Sequence, residues 1–208
     1  MKRALRGVAR GFVALCFITY PMAVYVGLTH WNARWVALTL LVFLVPIIVS
    51  RLRGASGRAL RSVAALPLLA AALLVMAAVL NASGMVLLVP VVINAGLLAS
   101  FGATLRSETP MVERFARLQD PDLEPDEVRW CRSWTWIWSG FFALNAVLAL
   151  VLALWAPLSW WTVYNGLVAY VLLGCLLAGE YVARKLRFAR FGSSWPDRLL
   201  ARLHKGDS

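Results

Sequence analysis

The chain has 208 residues, 61% of them hydrophobic and only 15% charged, with ten Trp. A soluble domain of this size carries about 25% charge and about 45–50% apolar residues, so the composition excludes an ordinary water-soluble globule and indicates a membrane-embedded chain. The net charge of +11 does not point to nucleic acid, because the basic residues fall in short clusters between apolar runs rather than along one soluble face; anionic lipid headgroups suit such clusters.

Six apolar runs follow in chain order: 11–28, 35–50, 62–81, 85–105, 134–156 and 161–181. A helix crossing the hydrocarbon core needs about 20 residues, within a range of about 17–25. In lipid the backbone must bond to itself, so these runs are expected as helices, not strands. The first follows a basic stretch, Met1 to Arg10, that looks like the start of a signal peptide. Its far end, Val24 to Trp31, is bulky and offers no small-residue cleavage site, which predicts an uncleaved span. The second run, 35–50, is short and calls for Arg51 to snorkel.

The connections alternate. Three short turns, 29–34, 82–84 and 157–160, would share one side. The N-terminus, 51–61, 106–133 and the tail 182–208 would share the other. Of the 21 Lys and Arg residues, Arg34 alone falls in the short turns. That bias puts both termini in the cytoplasm. The expected fold is all-α: a polytopic membrane protein with six transmembrane helices in three hairpins, plus short cytoplasmic interfacial helices. It forms a single membrane domain over 1–208, and a bacterial inner membrane is its expected location.

The loop 106–133 holds seven of the ten acidic residues. Thr109 is the expected N-cap of a helix with Pro110 at its first position. Met111, Phe115 and Leu118 recur at helical spacing, with Glu113, Arg114 and Arg117 around them, which predicts a short amphipathic helix in the interface. Asp120-Pro121 ends it. Pro125-Asp126-Glu127 starts a second helix with acids in its first turn, expected to continue through Trp130 and Trp134 into the fifth span. In the tail, Trp195, Leu199, Leu200 and Leu203 oppose Arg198, Arg202 and Lys205, the pattern of a surface-bound helix.

Polar groups inside spans are the default place to seek function. Here they are Asn94, Asn145, Tyr164 and Asn165, with Glu180 near the cytoplasmic end of the last span. Such Asn residues more often bond between helices, each worth about 0.6 kcal/mol on average, than line a cavity for a lipid or substrate. Glu180 has Arg184 one turn later, the order that favours an interfacial ion pair. Pro21, Pro46, Pro67 and Pro90 are expected to kink their helices and free carbonyls. Trp31, Trp35, Trp155, Trp160 and Trp161 are expected to mark the outer interface, and Trp130, Trp134, Trp136 and Trp138 the inner one. Cys16, Cys131 and Cys175 show no paired spacing and read as small buried hydrophobes. No nucleotide, protease or hydrolase motif is present. His30 and His204 are predicted on opposite faces of the membrane. The reading is therefore non-enzymatic, with no catalytic residue, cofactor or metal expected.

The stretch from Pro90 to Glu180 resembles a known pattern. It contains Pro90-Val-Val-Ile-Asn94, Phe101-Gly102, Thr109-Pro110-Met-Val-Glu113-Arg114-Phe-Ala-Arg117-Leu118, Trp130-Cys131-Arg132, Trp138-Ser-Gly-Phe-Phe-Ala-Leu-Asn145 and Trp161-Thr-Val-Tyr164-Asn165-Gly166. It is similar to an uncharacterised family of small bacterial inner-membrane proteins, often encoded beside acyl-carrier proteins, ketosynthases and acyltransferases of aryl-polyene pathways. The Trp-x-x-Phe-Phe-x-x-Asn run more loosely resembles the intracellular septation protein A family. Neither resemblance supplies a catalytic residue.

The resemblance implies a non-catalytic membrane component of envelope or polyene-lipid biosynthesis, with an acyl-carrier protein or acyltransferase as partner. Loop 106–133 would dock it, through Glu113, Arg114, Arg117 and Arg132. The competing expectation is a small transporter or lipid flippase, with a polar cavity between spans four, five and six. A membrane-bound lipid-modifying enzyme is the least supported. The pattern also allows a homo-oligomer.

Overall fold

Bare amides find no partner in hydrocarbon, and the apolar runs of this chain fold accordingly. The computed structural model describes residues 20–54, 58–118 and 120–188. Among them all regular structure is helical and there is no strand. Residues 11–19 of the expected first span, the connection 55–57, Cys16 and the expected tail helix lie outside the described residues.

The chain forms two compact units, Met1–Leu167 and Val168–Ser208. In the first, α1 covers 20–30. It is followed by α2 (Ala33–Gly54), α3 (Arg58–Leu80), α4 (Ser83–Leu87), α5 (Val89–Leu105), α6 (Met111–Arg117), α7 (Pro125–Trp155) and α8 (Leu158–Val163). A π-helical turn, Tyr164–Val168, leads from α8 into α9 (Ala169–Phe188), the described helix of the second unit. Among the described residues, three stretches are long and apolar enough to cross a membrane: Ser83–Leu105, Pro125–Trp155 and Leu158–Phe188. Shorter apolar segments, Ala33–Pro46 and Pro67–Leu80, lie in α2 and α3.

Within the first unit the most extensive packing joins α2 to α3 and α5 to α7. Both pairs are antiparallel. Arg34 near the start of α2 bonds Ala78 near the end of α3, and Phe101 of α5 meets Trp138 and Phe142 of α7. Small side chains let the backbones approach, as in other helix contacts formed without water: Ala37, Ala77 and Ala78 share a core with Val24, Val36, Leu74, Val86, Val89 and Trp161. Gly27 belongs to the same logic. A Cβ there would lie 2.7 Å from Cγ2 of Val36, too close for any other residue without a shift.

The turn after α3 is a Schellman closure. Asn81 takes a left-handed conformation with φ of 50°, and the Ala82 N–H reaches back to the Ala77 carbonyl at 3.1 Å. Asn81 Oδ1 then accepts the backbone N–H of Arg34 at 3.0 Å, tying the start of α2 to the end of α3.

The fourth apolar run is interrupted at Pro90, the residue expected to kink it and free carbonyls. α4 ends at Leu87, Leu88 is a turn, and α5 restarts with Pro90 in its first turn. The cause is the missing proline N–H, which cannot close onto the carbonyl four residues back. Two aromatic residues satisfy the oxygens released. Tyr20 donates its hydroxyl to the Val86 carbonyl at 3.3 Å, and Trp161 donates its indole N–H to the Leu87 carbonyl at 3.1 Å. The two rings meet edge to face, with centroids 6.3 Å apart.

Trp161 is thus fully buried, and Trp138 is nearly so. Neither acts as the interfacial belt residue that its position in sequence predicts. Trp31, Trp35, Trp155 and Trp160 are exposed, as a belt requires. Cys131 is buried, whereas Cys175 is exposed on α9, a helix with no buried residue.

Candidate functional site

Two polar regions of the first unit hold residues singled out in the sequence. One is the folded loop between α5 and α7. The other is the set of asparagines within the apolar segments.

The loop begins where α5 runs out of intrahelical partners. The last carbonyls of a helix need outside donors, and Arg132 of α7 provides them. Its Nη1 bonds the Leu105 carbonyl at 2.7 Å, and its Nη2 reaches the carbonyls of Ser107 and Glu108 at 3.2 and 3.3 Å. The fork of a guanidinium suits this task because it presents several donors in fixed directions.

α6 is held by its own first amides. Thr109 does not cap it, and Pro110 stands at the N-cap with no side-chain bond. The caps come from neighbouring helices. The Met111 N–H bonds Thr104 Oγ1 at 2.9 Å, and the Val112 N–H bonds the buried Thr135 Oγ1 at 3.3 Å. Thr135 in turn donates to the Cys131 carbonyl. One hydroxyl therefore connects α6 to α7, accepting from the Val112 N–H and donating to the Cys131 carbonyl.

Glu113 lies on the protein-facing side of α6 and is only 2% exposed. Its Oε1 accepts Nε of Arg117 at 2.8 Å. Its Oε2 is buried without a hydrogen bond. Arg117 also bonds the Pro121 carbonyl, and Arg114 bonds the Thr109 carbonyl and the Ser107 hydroxyl. Glu127 is buried as well, and it forms a capping box at the start of α7 with Glu124. The four residues expected to dock a partner, Glu113, Arg114, Arg117 and Arg132, thus all make bonds that shape the loop itself. The acids left at its surface are Glu108, Asp122, Glu124 and Asp126; Asp126 pairs with Arg129.

In the second region the structure brings Asn145 and Tyr164 together. The tyrosine hydroxyl donates to Asn145 Oδ1 at 2.8 Å, and Asn145 Nδ2 donates to the Phe141 carbonyl at 2.9 Å. Asn165 is buried in the π turn, with its amide on the Trp161 carbonyl at 2.9 Å. Asn94 returns its amide to the Pro90 carbonyl at 2.9 Å. Each asparagine N–H is thus directed at a carbonyl of its own helix, and only the Asn145–Tyr164 bond crosses between elements. Glu180 lies in α9, in the second unit, one turn before Arg184.

An open groove of about 390 Å³ on the α2–α3 surface is lined by Arg34, Leu38, Ala78 and Val79, and by none of these asparagines. Among the described residues no three His, Cys, Asp or Glu side chains are grouped to hold a metal ion.

No protein-family model matches the chain, and no curated protein or solved structure matches it either. The two family resemblances rest on the quoted residues alone.

Proposed function

We propose that this chain is a non-catalytic, multi-pass protein of a bacterial inner membrane that carries a folded cytoplasmic docking platform for envelope or polyene-lipid biosynthesis. In this reading the six apolar runs are six spans in three hairpins, and both termini are cytoplasmic. The charge bias between the connections supports that orientation. The observation that carries the reading is the construction of loop 106–133. Arg132, Thr104 and Thr135 tie it to two helices, and an untethered linker would not need them.

The platform's recognition surface is the exposed acidic segment Asp122, Glu124 and Asp126, which suits a basic patch on a cytoplasmic enzyme. An acyltransferase or acyl-carrier partner follows from the resemblance. The test places a photo-crosslinking residue at Asp122 in the full-length protein, in membranes of a strain that makes the pathway enzymes. Crosslinks to one such enzyme are expected. No crosslink above that of a chain with 120–126 scrambled would sink the proposal.

A small transporter or flippase is the second reading, favoured by one observation. The Asn145–Tyr164 bond adjoins a π turn, and π turns recur at functional sites. Substrate-dependent protection of a cysteine placed at Asn145 would support it.

A further inference from the structure

The outward face of α6 is chemically unlike its inward face. Val112, Glu113 and Ala116 are buried toward the protein. Phe115 and Leu118 point outward, 54% and 83% exposed. Between and beside them are the exposed cations Arg114 and Arg117. A helix folding against protein alone would bury its phenylalanine and leave its glutamate in water. This one does the reverse, so a second apolar phase is expected on the far side.

We infer that this face of α6 is seated in the anionic headgroup layer of the cytoplasmic leaflet, with Phe115 and Leu118 inserted at the top of the acyl chains. Depth is the first argument. α7 has 31 residues, about 46 Å at 1.5 Å per residue, whereas the hydrocarbon core takes about 20 residues. Counting back about 20 residues from Trp155 puts the inner boundary close to Thr135, the residue whose hydroxyl holds the Val112 N–H. The second tether agrees. Thr104, which holds the Met111 N–H, is one residue from the end of the apolar stretch Ser83–Leu105. Both tethers fix the start of α6 where hydrocarbon gives way to headgroups.

Charge is the second argument. Arg114 uses two of its five N–H donors inside the loop, which leaves donors for lipid phosphate. Of the exposed acids, Asp122, Glu124 and Asp126 follow α6, and Glu108 alone stands before its start. Asp126 lies nine residues before Thr135 along α7, roughly 13 Å farther from the hydrocarbon. An anionic surface therefore attracts α6 and repels the segment 120–126, and the two together set the tilt of the loop. Aromatic and aliphatic insertion flanked by arginine is the chemistry of interfacial helices.

The inference rests on the membrane reading above but not on any docking partner, since it uses other residues of the loop. It is tested in the full-length protein with Cys16 and Cys175 replaced by Ala and the buried Cys131 kept. Leu118→Cys carries an environment-sensitive fluorophore, and Phe115→Cys and Asp122→Cys carry it in parallel samples. The protein is placed in vesicles of phosphatidylethanolamine and phosphatidylglycerol containing a lipid with a quencher high on its acyl chain. Quenching at positions 115 and 118 is expected to be at least twofold that at 122. It is expected to fall when phosphatidylcholine replaces the anionic lipid. Equal quenching at all three positions would overturn the inference. So would a label at 118 that is shielded only after a cytoplasmic protein fraction is added, since protein would then cover that face. If the Leu118 variant loosens the loop, the Phe115 label decides the matter alone. A failed crosslink at Asp122 leaves this result untouched.

Discussion

The break in the fourth apolar run and the folded loop at its other end pose one problem in two settings. At Leu88 and Pro90 the helix ladder opens within apolar surroundings, and neutral donors close it: a tyrosine hydroxyl and an indole N–H. Past Leu105 the ladder ends, and a guanidinium closes it. The difference follows from desolvation. A charged donor is costly in the apolar interior but cheap near headgroups and water. A phenol or indole can be buried whole, because most of its surface is apolar.

This contrast can be broken by substitution. Trp161→Ala should have the largest effect, removing a fully buried ring and leaving the Leu87 carbonyl without its donor. A loss of about 3–5 kcal/mol is expected, seen as a lower midpoint for the whole protein in detergent denaturation. Trp161→Phe, which keeps most of the ring, should recover the larger part. Arg132→Met should cost less, about 1.5–3 kcal/mol, and the cost should be local. Trypsin should cut faster at Arg114 and Arg117 while the global midpoint moves little. A global shift equal to that of Trp161→Ala would show that the loop and the bundle unfold as one, contrary to the contrast drawn here.

Thr135→Val is nearly isosteric and removes a single hydroxyl. It should cost about 1–2 kcal/mol, with faster hydrogen exchange at the Val112 amide as its signature. Tyr20→Phe is the mildest. Its bond is long at 3.3 Å, and a loss of about 0.5–1 kcal/mol is expected. If Tyr20→Phe proved as damaging as Trp161→Ala, hydrogen bonding rather than ring packing would dominate at the break.

Much of this was legible in the sequence. The helical class followed from hydropathy, and the passage of α7 from Pro125 through Trp130 and Trp134 followed from its proline and its unbroken spacing. What sequence periodicity could not reach was any bond between distant residues. Tyr20 meets Val86 across 66 positions, and Trp161 meets Leu87 across 74. Trp161 therefore read as an interfacial residue. The capping of α6 was misplaced for the same reason. Thr109 is adjacent and Thr135 is 23 positions away from the amide it caps, and local motif rules see only neighbours. Glu113 read as a surface charge because burial depends on which face α6 turns to α7. Three hairpins were expected around the short turns, yet the most extensive packing joins α2 to α3 and α5 to α7 across the other connections.

Arg34 adds a constraint on biogenesis. In the proposed topology it is the one basic residue among the short turns, and so it must be translocated. Its Nε finally rests on the Ala78 carbonyl, 44 residues later in the chain, at the negative end of α3. That partner does not exist until α3 has been synthesised and inserted. During the interval Arg34 is a lone cation on the translocated side, held by nothing in its own helix. In that topology the pairing of α2 with α3 is the event that fixes the orientation of α2, and a stalled nascent chain ending before Ala78 should be the form most prone to invert.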